Sequence, residues 1–165
     1  MIYTGNYENC KELNNFVSIS KDGGKSVNFK GKKYYPLSPK LEFFKKWKEN
    51  IGKITEEENI RFYIEHYYNE VLKDLDISEL LTELGTNFIM GCYEKSDDFC
   101  HRFIVANYLE LVLGINIDEI KVKDGKIIPL PKSKMYKKIG NILCETIIKD
   151  IDSQKKRKEK TMILL

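Results

Sequence analysis

The sequence has no glycine-rich phosphate loop. Its ten glycines are scattered, and neither a G-x-G-x-x-G run nor a Walker sequence occurs among the 165 residues, which disfavours a standard dinucleotide or P-loop site. It holds only two histidines and one tryptophan, so each of these marks a small set of positions. No C-x2-C pair occurs among its four cysteines at 10, 92, 100 and 144, and the usual spacing of a zinc site is therefore missing. No apolar run approaches the roughly 20 residues that span a bilayer, and no secretory leader pattern opens the chain. Charge of one sign is also scarce. The net charge of +3 comes from 28 basic and 25 acidic residues and is too slight to argue for nucleic-acid binding by itself.

What is present is ordinary for one globular domain. A chain of this length buries roughly two thirds of the surface it exposes when unfolded, enough for a core without disulfides. The expectation is a cytosolic protein with four free thiols, no membrane association and no cofactor.

The pattern of elements predicts an α/β fold. Short strands are expected at Met1–Thr4 and Phe16–Ser20, and a small hairpin or loop excursion around Gly31. Ser38-Pro39 reads as a helix start, with Leu41, Phe44 and Trp47 at helical spacing. Thr55 with Glu58 reads as a capping box for a helix carrying Ile60, Tyr63, Ile64 and Tyr67. Asp76 begins a short helix stopped by Gly85. Asn87 to Cys92 is apolar without alternation, as in a strand buried on both faces. A helix from about Phe99 to Leu113, a hairpin around Asp124-Gly125 and an amphipathic helix after Ser133 complete the chain. Strands alternating with helices argue for a single three-layer domain with a mostly parallel sheet. The first strand, the second strand and the 87–92 strand should be neighbours.

The segment Cys92-Tyr93-Glu94-Lys95-Ser96-Asp97-Asp98-Phe99-Cys100-His101-Arg102 carries the chemistry. It joins a buried strand to a buried helix, and α/β sheets hold ligands at such carboxyl ends. Cys100, at a helix start beside Arg102 and His101, has the setting of a nucleophilic thiolate, or is a small buried thiol. His101 is a candidate acid, base or ligand anchor, or a first-turn histidine bonded to a carboxylate. Arg102 suits bidentate binding of phosphate or carboxylate, or an ion pair with Asp98 or Glu94. Glu94 is placed as base or nucleophile, or as that salt-bridge partner. Metal binding would need Cys92, Cys100 and His101 to converge, and without tight pairs none is expected.

This segment resembles the hallmark of DUF488, a family of unknown function, with its Cys-Tyr-Glu-Lys run and its Phe-Cys-His-Arg opening a helix. Ile2-Tyr3-Thr4-Gly5-Asn6-Tyr7 is similar to the family's first strand and turn, Val17-Ser18-Ile19-Ser20 to its second strand, and Tyr35-Pro36-Leu37-Ser38-Pro39 with Tyr67 and Glu70 to two further motifs. The resemblance covers about residues 1–120, leaving 121–165 as a hairpin, a helix and a basic tail without fixed structure.

Three readings stand open. One is a small enzyme acting on a phosphorylated or nucleotide-like ligand, with Glu94, Cys100 and His101 as catalytic candidates and Arg102, Gly5, Asn6, Ser20 and Tyr67 as binding candidates. Another is a non-catalytic nucleotide- or nucleic-acid-binding module that uses the same residues for recognition alone, with the basic run Lys155 to Lys160 as a separate candidate contact for nucleic acid. The third is a structural or assembly protein.

Overall fold

Strand β1 (Ile2–Asn6) lies parallel to β4 (Phe88–Cys92), with Ile2 opposite Phe88 and Asn6 opposite Cys92. The structure, a computed structural model, describes residues 1–164. On the other side of β4 runs β2 (Phe16–Ser18), also parallel, with Ser18 opposite Gly91. The three strands expected as neighbours are therefore the centre of the sheet, and all five residues of β4 are buried. Beyond β2 comes β3 (Lys32–Lys33), parallel to it. Beyond β1 comes β5 (Asp118–Lys123), parallel, and then β6 (Lys126–Leu130), antiparallel to β5. The order is β3-β2-β4-β1-β5-β6, a mostly parallel sheet in a single α/β domain.

Strand side chains alternate between faces, and the two faces of β4 meet different cores. Phe88, Met90 and Cys92 join Ile2, Val17 and Ile19 under the main helical layer. That layer contains α2 (Leu41–Asn50), α3 (Glu56–Tyr67), α4 (Ile77–Leu84), α5 (His101–Leu113) and α6 (Lys134–Leu164). Ile89 faces the other way, into Tyr7, Cys10, Phe16, Phe29 and Ile120. The layer there is thinner: the one-turn helix α1 (Tyr7–Cys10) and the loop after β2.

Local chemistry explains most boundaries. Thr55 accepts from the Glu58 amide and Asp76 from the Glu79 amide, so both expected N-caps hold. Asp124 and Gly125 both have positive φ, the primed turn that matches the twist of a two-residue hairpin.

Several expectations need correction. Of the two forms expected around Gly31, the loop excursion is present and the hairpin is not. Residues 25–27 make a 3-10 turn, and β3 pairs parallel with β2. Phe29 drives this by packing against Tyr7 and Phe16 at 5.6 and 5.3 Å between ring centres. The helix expected at Ser38-Pro39 starts later, at Leu41, with Lys40 at the cap. Ser38 is extended, as a residue before proline prefers to be. In α5 the buried run is His101–Ala106 with Leu109, while Leu111 and Val112 are exposed. The basic run at 155–160 is part of α6, which stays helical to Leu164. With 31 residues, α6 is about 46 Å long, and everything from Ile151 to Leu164 is exposed.

A cysteine–histidine cleft at the carboxyl edge of the sheet

Cys92 is the last residue of β4, and its side chain points to the helical layer, as do Phe88 and Met90. The chain then loops through Tyr93 to Phe99 and enters α5 with Cys100 at the cap and His101 as the first helical residue. This turn returns the chain over its own strand end, so the two sulfurs and the imidazole meet. Cys92 Sγ lies 3.9 Å and Cys100 Sγ 4.0 Å from His101 Nδ1. On its other side His101 Nε2 is 2.7 Å from the Ile19 carbonyl oxygen. A carbonyl only accepts, so Nε2 carries the proton and, in the neutral ring, Nδ1 presents its lone pair to both sulfurs. Tyr67 supports the ring with its centre 5.8 Å away, and its hydroxyl donates to the Leu37 carbonyl at 2.5 Å.

Above this floor opens a cleft of about 980 Å³. Cys92, Glu94, Cys100, His101 and Ser20 line it, and Phe44, Trp47, Tyr63, Tyr93 and Phe99 supply its rings. The stripe Leu41, Phe44 and Trp47, spaced like a core face, is in fact a cleft wall. Phe43 is the buried apolar residue of α2, while Phe44 and Trp47 pack against the core with one side and line the cleft with the other. Asn59 fixes the wall by donating to the Trp47 carbonyl at 2.9 Å and accepting from Asn50.

The electrostatics are unusual for thiols. Burial opposes charge on Cys100, yet a hydrogen bond from Cys92, the Arg102 charge and His101 outweigh it and hold the thiol well below its ordinary value. The neighbouring Cys92 moves the opposite way, well up, because it hydrogen-bonds Cys100 and is buried. Burial also works against charge on His101, but the contact with Cys100 prevails and raises it. Glu94 is pushed up to about 7 by burial and by the adjacent Cys100. One of its carboxylate oxygens, Oε2, is buried without any partner.

The other candidates lie elsewhere. Arg102 is fully buried. It donates through Nε and Nη2 to the two oxygens of Glu119 at 3.2 and 2.6 Å. Its partner is thus a residue of β5, not Asp98 or Glu94, and the guanidinium is not among the cleft-lining groups. The pair ties the first turn of α5 to β5 and so fixes where Cys100 and His101 sit. Asn6 caps α1 by accepting from the Asn9 amide at 2.9 Å. Gly5 gives room to Cys10, whose Sγ would stand 2.7 Å from any Cβ there. Of the eight candidates, Ser20, Glu94, Cys100 and His101 come together in the cleft. Trp47, Phe99 and Tyr63 escaped sequence reasoning, although the density of rings at 44, 47, 63 and 99 was the available signal.

Ser20 leads into the loop that closes one side of the cleft, and Asp22 organises that loop. Its carboxylate accepts from the Gly24 amide at 2.9 Å, the Ser26 amide at 3.3 Å and the Tyr93 hydroxyl at 2.6 Å. Burial works against its charge, but these bonds, Tyr93 foremost, bring the carboxyl down to about 2. A depressed carboxyl contributes stability that is complete above its unfolded pKa and disappears as pH falls through the folded one. The difference in melting temperature between wild type and Asp22→Asn should therefore be full above about pH 4 and gone near the folded value of about 2. A difference that persists unchanged in acid would mean the charge of Asp22 has no part in holding the loop.

A small α/β domain with a thiol–imidazole floor at its strand ends defines the class. A family model described as the active DUF488-N3 subclade, DUF488-N3a, matches residues 16–112, and the chain belongs to the DUF488 family. The matched stretch runs from β2 through nearly all of α5 and contains the whole cleft floor, while β1 with Gly5 and Asn6 lies outside it. No curated protein and no solved structure matches the chain. Among the described residues no helix is long and apolar enough to cross a membrane.

Proposed function

We propose that this protein is a small enzyme acting on a flat, nucleotide-like heteroaromatic ligand, with the reaction at the floor formed by Glu94, Cys100 and His101. The observation that carries the reading is Glu94. A buried carboxylate oxygen without a partner costs about 1–3 kcal/mol or more, and it sits in a ring-walled cleft beside two thiols and an imidazole. The oxygen itself is closed to water, so a ligand supplies the missing partner once the Glu94 side chain turns toward the cleft that it lines. The word "active" in the description of the matched subclade agrees with catalysis.

The cleft walls favour a planar ring, which stacks on aromatic side chains at about 1–3 kcal/mol per base in nucleic-acid sites. Positive charge for a phosphate comes from Lys21 and Lys48, which line the cleft, and not from Arg102. The Ser20 hydroxyl is held by Tyr7, Ser18 and Asp22 and so shapes the wall beside the ligand. The exposed basic run of α6 is a separate feature that suits a polyanion such as nucleic acid, and it adds nothing to the cleft.

Native mass spectrometry of freshly purified protein should reveal a retained ring compound, and a panel of nucleosides and nucleotides followed by chromatography should show one consumed. Glu94→Gln keeps the shape of the side chain and should melt within a few degrees of wild type. It should lose turnover by about 100-fold or more, the usual contribution of a positioned acid or base. A ligand bound and released unchanged by the wild type would make the protein a binding module. Full turnover in Glu94→Gln would remove Glu94 from the reaction.

A further inference from the structure

We propose that Cys92, Cys100 and His101 hold a zinc-class divalent ion through both sulfurs and Nδ1, with a fourth coordination position open to the cleft. This deepens the reading of the cleft as a working site, since it gives the floor its electrophile, but it stands on its own geometry.

The three donor atoms all lie within 4.8 Å of one another, and all three residues are buried. A tetrahedral ion with Zn–S of about 2.3 Å and Zn–N of about 2.0–2.1 Å separates its sulfur and nitrogen ligands by roughly 3.6 Å. The distances from Nδ1 to the two sulfurs are 3.9 and 4.0 Å, so an ion fits between them with a contraction of a few tenths of an ångström. The imidazole is already turned for ligation, with Nδ1 toward the two sulfurs. Histidines that bind metals characteristically donate the other ring N–H to a carboxylate or a backbone carbonyl, and Nε2 does so to Ile19 at 2.7 Å. That bond leaves Nδ1 no role except toward the sulfurs.

The chemistry of the donors selects the ion. Two thiolates and one imidazole are soft to borderline ligands that suit zinc and exclude magnesium or calcium, which take oxygen. Two thiolates also neutralise a divalent charge in a buried place. Three protein ligands are the number that a catalytic zinc uses, whereas a structural zinc is closed by four. Cys92, Cys100, His101 and Glu94 line one cleft. Glu94 is the carboxylate that shares this cleft with the fourth position. The sequence offers these three residues without the tight pairs of a zinc site, and their convergence comes from the return of the chain from β4 to α5.

The test uses the full-length wild-type chain, purified anaerobically without chelator and without a polyhistidine tag. Elemental analysis should find an equimolar amount of zinc. Protein stripped of metal and refilled with cobalt should show the visible bands of a tetrahedral ion and a thiolate-to-cobalt charge-transfer band. Competition with a chromophoric chelator should give zinc affinity tighter than micromolar. Cys100→Ser should lower that affinity at least 100-fold, while Cys144→Ser, at an exposed cysteine, should leave it unchanged.

If Cys100→Ser fails to fold, the wild-type cobalt spectrum still decides. Absence of the charge-transfer band, binding weaker than micromolar, or a Cys92–Cys100 disulfide in anaerobic protein overturns the proposal. A zinc-loaded protein that turns over no ring compound overturns the enzyme reading alone. Turnover that is indifferent to metal removal overturns this one alone.

Discussion

Replacing Gly91 by alanine should cost about 3 kcal/mol or more, placing it at or beyond the upper end of ordinary overpacking. Gly91 is in the middle of the sheet, with Gly5 opposite in β1 and Ser18 opposite in β2. On the face away from the cleft the Phe16 ring lies directly on it. An added Cβ would stand 1.7 Å from Phe16 Cζ and 2.3 and 2.4 Å from the two adjoining ring carbons, distances no rotation of a methyl relieves. The ring would have to leave, and it is held by Tyr7 and Phe29, each 5.3 Å from it between centres. Losing the burial of a phenylalanine alone amounts to about 1.5–3 kcal/mol. Phe16→Leu should recover part of the loss in the Gly91→Ala background while destabilising the wild type. Thermal melts of the four proteins measure the coupling. A Gly91→Ala protein melting within a degree of wild type would show that the ring has other room.

Arg102→Met should destabilise by about 3–5 kcal/mol, because it leaves the carboxylate of Glu119 buried without its counter-charge. Arg102 has no exposed surface and Glu119 is 8% exposed, so water cannot replace the lost partner. Glu119→Leu alone should cost a similar amount. The double variant Arg102→Met with Glu119→Leu should return to within about 1–2 kcal/mol of wild type, since an apolar pair of similar volume avoids both desolvation penalties. Denaturant unfolding of the four proteins gives the numbers. If the double variant is as unstable as the singles, the guanidinium has a further partner, for which the unpaired Nη1 is the available donor. Turnover in the double variant would then report how far the ion pair positions Cys100 and His101.

The sheet was legible because its central strand announced itself. Phe88 to Cys92 is apolar without alternation, too short for a helix and set between Gly85 and the polar loop from Glu94, which fits a strand covered on both faces. The caps at Thr55 and Asp76 and the turn at Asp124-Gly125 were legible for the same reason: each depends on side chains within three residues. The illegible parts depend on distant partners. The segment 27–35 has the look of a hairpin, but Phe29 is claimed by Tyr7 and Phe16, which no local window contains. Arg102 pairs with Glu119 across two elements. Its only trace in the sequence was a charged residue at an inward position of β5, next to Ile120. At the site the split is similar. Glu94, Cys100 and His101 were visible from their place between strand and helix, and the structure puts them in one cleft. The aromatic wall was hidden, because Leu41, Phe44 and Trp47 repeat at the same interval whether a helix faces a core or an opening.

The position of β4 also has a consequence for how the chain is made. β1 and β2 are synthesised first, yet they never pair with each other. Each waits for β4, whose residues 88–92 leave the ribosome only after the helices α2 to α4. At about 5–20 residues per second the two early strands spend several seconds with apolar edges and no mate. β3 is too short to cover β2, and β5 arrives later still. The nascent chain thus passes through an interval of exposed strand edges that ends abruptly when one segment appears, so a synthesis rate slowed before codon 88 should lower the soluble yield far more than the same slowing after codon 123.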